Sequence, residues 1–492
     1  MLNLVFALAA AQNPQTLLDR VRAAIMSPKA PAWSSLRMTG KAQYFGIDEG
    51  YTLDAMPDGR FVQTFSGPIT EKFACDGKTF WQVDRSRGVE KLDFEDRDRQ
   101  TATELALTSR WLDANAPIVI GEDGDTLHLK LKDSGQEEIL KIDPATHLPS
   151  EADLPISSGL LVIKLSEWKP AGDREVPSHV EITDGGLTDT ISCDHIAAAQ
   201  LPASEFEVPV WKPDDIFFDT SKPANVECKR AVSGHVLVHP LVDGKDLGWF
   251  ILDSGAEVMC IDKATADDAK LPSIGREPVT GVGGNVVSSL RPIGEFELGP
   301  AMMKNVLFVD LDLSQLSGFF RVKIAGIVGA DFFRRTIIAV DLKAPSVEIS
   351  KRDGYSLSSG NWLPVRFSTG NPALEATIDG APKAWYRFDL GANGFLTLHA
   401  PFVTKWKLLD GRETQPSMSG GAGGFVTARS GKLKWFELGG HRFNDVRVDF
   451  STAKQGAFAE PYLAGNIGQD AMLPFRVVFD FSGYRIALVP RQ

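Results

Sequence analysis

No stretch of this 492-residue chain gathers lysine and arginine into a basic run, and acidic residues outnumber basic ones 64 to 52. A net charge of −12 argues against nucleic acid or an anionic membrane surface as main partner. No apolar run reaches the ~18–20 residues of a membrane-spanning helix. Cysteine is scarce: Cys75, Cys193, Cys228 and Cys260 could form two disulfides or remain four free thiols, and none of their spacings suggests zinc. There is no G-x-S-x-G elbow, no H-E-x-x-H and no G-x-x-x-x-G-K-[ST]. The glycine clusters do not complete G-x-G-x-x-G, and no βαβ pattern surrounds them. His235 and His239, in HVLVH, share one face of a strand with no third ligand, so they read as surface or core histidines. No metal and no cofactor are expected.

What remains is ordinary globular material: 43% apolar and 24% charged residues, in a chain long enough for about three or four domains. Residues 1–12, MLNLVFALAAAQ, lack a basic n-region but otherwise match the apolar core and small-residue cleavage site of an export signal. They predict a signal peptide and a periplasmic or secreted protein. The next segment, NPQTLLDRVRAAIM, reads as a helix.

From there to residue 211 the chain alternates apolar and polar residues between PDG, DGK, DSG and DGG turns, the pattern of antiparallel hairpins. One helix, Asp98 to Ala116, interrupts them. Strand order and a DG-xxx-W hairpin at Asp76, Gly77 and Trp81 resemble the half-barrel of bacterial outer-membrane lipoprotein carriers. That resemblance implies a lipid or protein ligand; a spacer or substrate-docking domain is the alternative. Residues 212–227, rich in Pro and Asp, are expected to be a linker.

The remaining residues contain a duplication. HPLVDGKDLGWFILDSGA and EATIDGAPKAWYRFDLGA align Asp243-Gly244, Trp249, Asp253, Gly255 and Ala256 with Asp379-Gly380, Trp385, Asp389, Gly391 and Ala392. AGIVGAD (325–331) and AGNIGQD (464–470) form a second echo downstream. Two similar units are expected, residues 228–360 and 361–492, each strand-rich and each ending a strand in an aspartate at a Gly turn. Trp249 and Trp385 are expected to be core residues beneath those turns. Asp331, Asp470, Asp341 and Asp480 read as caps or structural ligands.

An apolar strand, D-S-G-A, a glycine-rich tip and then apolar-apolar-Gly resemble the aspartic peptidases, in particular the bacterial retropepsin-like proteins. The first copy carries the motif as Ile251–Ala256, Gly281-Val282-Gly283-Gly284 and Ile327-Val328-Gly329. The resemblance implies a mainly β protein with two acid-protease-type lobes about a pseudo-twofold, as in the pepsin-like bilobal enzymes. It implies Asp253 and Asp389 as catalytic pair, supported by Ser254, Gly255 and Gly391. It also implies substrate-binding flaps at Gly281, Val282, Gly283 and Gly284 and at Gly421, Gly423 and Gly424, with polypeptide as substrate. The second copy departs from the motif at Leu390, where Ser or Thr is usual, and at Asn466, where an apolar residue is usual. Three outcomes are open: an asymmetric active monomer, a homodimer pairing first lobes, or an inactive peptide-binding relative.

Overall fold

The computed structural model describes residues 16–421 and 424–491. The expected signal segment and Gly423 lie outside them. The first helix, Leu17–Ile25, starts where Thr16 accepts the Asp19 amide and Asp19 answers to the Thr16 amide, a capping box. Its Leu17, Val21 and Ile25 face inward, on one stripe of a 3.6-residue repeat.

The strands between Leu36 and Ala197 form one 13-stranded antiparallel sheet. Counted along the chain, they run from the sixth back to the first and then from the thirteenth down to the seventh, so the hairpins expected from the turn signals close onto each other through the first and last strands. The helix packed on this sheet, Phe94–Thr108, begins four residues before the expected start, without a side-chain cap. Its first turn is anchored by tertiary contacts instead. Glu95 accepts from Ser157, Asp96 accepts the Thr369 amide, and the Phe94 ring meets Trp385 edge-on.

The segment 212–227 does more than link. Ile216–Phe218 pairs with the strand Ala301–Leu311, and Asn225–Val226 pairs with Ser346–Ser350, so its apolar residues become edge strands of the C-terminal sheets. The two halves of the duplication repeat one topology. In the first, Trp249–Leu252 pairs in parallel with Ile324–Val328, which pairs antiparallel with Cys260–Asp262. In the second, Ala381–Phe388 pairs in parallel with Gly465–Ile467, which pairs antiparallel with Leu396–Leu398.

A 6-stranded sheet joins the lobes, with Ile337–Asp341 of the first beside Phe475–Asp480 of the second. One apolar core runs through both lobes, and Phe333, Phe388, Phe479 and Phe481 meet across the join. Burying each such side chain contributes roughly 1.5–3 kcal/mol, which fixes the lobes as one body. The four cysteines are free thiols, three of them buried.

Candidate active site

Each motif strand ends in an aspartate whose amide is held by the parallel neighbour. Asp253 N donates to Val328 O at 3.1 Å, and Asp389 N donates to Ile467 O at 2.9 Å. Each turn then folds back on its own carboxylate: Gly255 N donates to Asp253 Oδ1 at 2.7 Å and Gly391 N to Asp389 Oδ1 at 2.8 Å. The glycines are required by packing across the axis. A Cβ on Gly255 would overlap the Asp389 carboxyl, and a Cβ on Gly391 would overlap the Asp253 carboxyl. The two carboxylates of one chain therefore lie face to face, each backed by the other lobe's glycine.

The junction is asymmetric. The Ser254 hydroxyl accepts the Leu390 amide at 2.8 Å and donates to Phe388 O at 3.0 Å, so one side chain ties the second turn on both flanks of Asp389. Leu390 returns no such bond; it is fully buried in the core between the lobes. Other donors hold its turn. Gln469 Nε2 donates to Leu390 O at 2.6 Å, and His235 Nε2 donates to Gly391 O at 2.8 Å while Ser233 holds its Nδ1. Burial keeps the His235 pKa below its ordinary value, so the ring is a neutral donor.

Asn466 is part of the same adjustment. Its amide donates to Asp389 Oδ2 at 3.1 Å, and its own oxygen is 3.0 Å from His399 Nε2, which must therefore be the protonated nitrogen. Burial pushes His399 down to about 3 and keeps it neutral. At the corresponding places the first lobe has Ile327 and Ala330, against Asn466 and Gln469 in the second. Leu390, Asn466 and Gln469 thus change together, and they surround one turn.

Electrostatics match this layout. Burial raises both carboxyls, and proximity to Asp389 raises Asp253 further, well above the ordinary aspartate value. Asp389 is raised less, because Arg387 and the Gly391 amide favour its ionised form. Like charges held this close share one proton between them.

The pair opens into a cavity of about 950 Å³. Its roof includes two hairpins. The first flap pairs Ile274–Gly281 with Gly284–Leu298, and Gly281 and Val282 at its tip line the cavity. Gly284 sits at φ +123°, a conformation that only glycine takes readily. The second flap pairs Gln415–Gly421 with Gly424–Leu438. There Met418, Ser419, Gly420 and Phe425 line the cavity, whereas the expected Gly424, like Gly283 and Gly284 of the first flap, is not among its lining residues.

The family model described as aspartyl protease matches residues 238–332 and 374–471. Both lobes match the aspartyl protease family. Asp253 and Asp389 lie within the two aspartyl protease segments, one in each. No curated protein matches the chain. Among solved structures, a LolA superfamily protein from Nitrosomonas europaea is similar at 14% identity over 40% of this chain and 98% of that one, with a TM-score of 0.28.

Of the aspartates read as caps or structural ligands, Asp331 accepts the Met259 amide and the Ser86 hydroxyl, and Asp341 and Asp480 each accept turn amides. Asp470 is exposed at the start of a short helix. The two tryptophans are a correction: neither is core. Trp249 is half-buried between the His239 ring and the Lys229 ammonium, and Trp385 is half-buried against Phe94 and Arg366. In each case one indole face is left to a cation, Lys229 for Trp249 and Arg366 for Trp385. His235, read as an ordinary histidine, touches the second turn, which only the folded chain reveals.

Proposed function

We propose that this chain is an aspartic-type endopeptidase, a hydrolase that cuts peptide bonds with water activated between Asp253 and Asp389. The observation that carries the reading is the reciprocal packing of Gly255 on Asp389 and Gly391 on Asp253, which needs no second chain. Asp389, accepting from Gly391 and Asn466, is the base that takes a proton from water. Asp253 donates its proton to the scissile carbonyl as that becomes tetrahedral, and the two exchange roles as the amine leaves. The residues themselves move every proton, and no covalent intermediate forms. An extended peptide lies under the flaps as an added strand.

Leu390 does not count heavily against activity: by symmetry with Ser254 a hydroxyl there would tie the first turn, and that turn keeps Asp253 N on Val328 O and the Ala330 amide on Ala256 O. An acyl chain is the poorer occupant of the cavity, because carboxylates and guanidinium groups line its N-terminal side and would lose hydration against methylenes. Export to the periplasm or beyond remains part of the proposal, and amino-terminal sequencing of the mature protein tests it. Incubation of the purified chain with peptides across a pH series, read by mass spectrometry, tests the activity. Cleavage that needs both aspartates supports it, and peptide binding without cleavage at any pH favours an inactive binder.

A further inference from the structure

The N-terminal sheet is not a remote appendage. It shares the cavity with the aspartate pair: Tyr44, Phe65, Phe73, Ile182 and Leu187 line one side while Asp253 and Asp389 line the other. The sheet is bound firmly to the first lobe. Arg334 is buried between Asp84 and Glu90, and Arg335 donates to Ser86 O. The first flap is fixed to the sheet along its length. Arg276 N donates to Phe45 O at 2.7 Å, Arg85 pairs with Glu277 at 2.5 Å, and Asn285 Nδ2 donates to Ser158 O at 2.7 Å. Its tip also accepts the Ala457 amide from the second lobe. In the second flap, Met418 and Phe425 are 67% and 66% exposed.

Acids outnumber cations on this fixed wall, where Arg85, Arg99 and Arg334 are already paired with Glu277, with Asp184, and with Asp84 and Glu90. Glu71, Glu95, Asp96, Asp189 and Glu257 line the cavity, and none forms a salt bridge among the described residues. Two further acceptors have no donor at all. Glu277 Oε2 and Gln100 Oε1 are unpartnered, in side chains 9% and 7% exposed that line the same cavity. Burial, with Glu460 nearby, pushes Glu95 up to about 7. A group bringing N–H donors and a positive charge would supply donors to Glu277 Oε2 and Gln100 Oε1 and a counter-charge to the unbridged acids.

We propose that the N-terminal sheet and the anchored first flap form the specificity wall of the site, selecting short peptides that place a lysine or arginine against the sheet. The proposal rests on the peptidase reading above. A cavity of this volume is at the upper end for small ligands, about 300–1,000 Å³, and suits a short peptide rather than a folded protein. Opening the first flap would break contacts at its base, middle and tip, so this wall stays in place when a peptide binds.

The test uses the full chain and matched octapeptides carrying Lys, Gln or Glu at each position in turn, alongside an unfolded polypeptide of more than a hundred residues. We expect kcat/KM at least tenfold higher for a Lys peptide than for its Gln match at one or two positions, with Glu disfavoured and the long chain cut more slowly. In a Glu95→Gln, Glu277→Gln variant that Lys-to-Gln ratio falls to about threefold or less. Equilibrium binding to the Asp253→Asn, Asp389→Asn variant separates this wall from the chemistry: Lys peptides bound selectively but never cut by wild type uphold the wall and sink the peptidase reading. Equal cutting of Lys and Glu peptides, long chains cut as fast as octapeptides, or no selective binding overturns the proposal.

Discussion

The Ser254 hydroxyl and the Leu390 amide, 2.8 Å apart, join the two lobes at the aspartate pair, and no reciprocal bond returns from the second lobe. Ser254 supplies the one motif hydroxyl where a symmetric pair would have two, with His235 as a further donor from the first lobe to the second turn. In Ser254→Ala the Leu390 N–H loses its acceptor in the core, costing about 1–3 kcal/mol of stability. The displaced Asp389 should lower kcat by roughly 100-fold with KM little changed, since small misplacements of reacting groups are expensive. Steady-state kinetics and thermal denaturation of the variant check both numbers. Leu390→Ser, by contrast, opens a cavity in a fully buried site and should destabilise by about 2–5 kcal/mol.

Asn466 is predicted to set the acid limb of the proposed activity. It gives Asp389 a second donor, which favours the carboxylate. Asn466→Leu puts an apolar residue there, as in the first lobe, and removes that donor. The Asp389 pKa then rises, so the low-pH limb of kcat/KM should move to higher pH, while the high-pH limb, set by Asp253, moves much less. A pH–rate profile of the two proteins decides it, and an unchanged acid limb would mean that Asn466 has no part in setting it.

The duplicated D-x-G-A turns were legible because they are local: strand, aspartate and glycine are adjacent, and the spacing of Asp243, Trp249 and Asp253 repeats intact. The hairpins of the N-terminal sheet were legible for the same reason, from alternation between turn residues. What the sequence could not disclose are contacts over long separations. Gln469 and His235 reach the second turn from 79 and 156 residues away. Leu390 read as a departure from the motif, and the sequence did not show that it fills the core between the lobes. Phe94 and Asp96 begin their helix early because the second lobe holds them, and no propensity records that. Likewise 212–227 looked like a linker by composition, yet its strands complete sheets formed by residues much later in the chain.

Glu138 offers a stability test away from the site. It is fully buried in the N-terminal sheet, neither carboxyl oxygen has a partner, and burial pushes it up to about 8. A raised carboxyl is neutral in the folded chain while the unfolded chain ionises near the ordinary value. Stability is therefore full below about pH 4.5 and is lost progressively up to about pH 8. Glu138→Gln should abolish that loss, gaining about 3–5 kcal/mol relative to wild type between pH 5 and pH 9. Chemical denaturation at the two pH values measures the difference.

Arg334 is the corresponding test of the join between sheet and lobe. Arg334→Ala leaves Asp84 and Glu90 buried without their cation, at an expected cost of about 3–5 kcal/mol. Arg334→Met should cost about as much, because its methylenes restore volume but no charge. Hydrogen exchange should show deprotection concentrated between residues 84 and 90 and along the first flap.

The proposed function requires that one chain assemble a working aspartate pair from Asp253 and Asp389. The measurement that tests this most directly is cleavage of a diverse peptide mixture by wild type, Asp253→Asn and Asp389→Asn, read by mass spectrometry from pH 3 to pH 8. Cleavage by wild type, and its loss by at least a thousandfold in each single variant, is the predicted result. Cleavage that survives Asp389→Asn but not Asp253→Asn would contradict it, because the second lobe would then have no part in the chemistry.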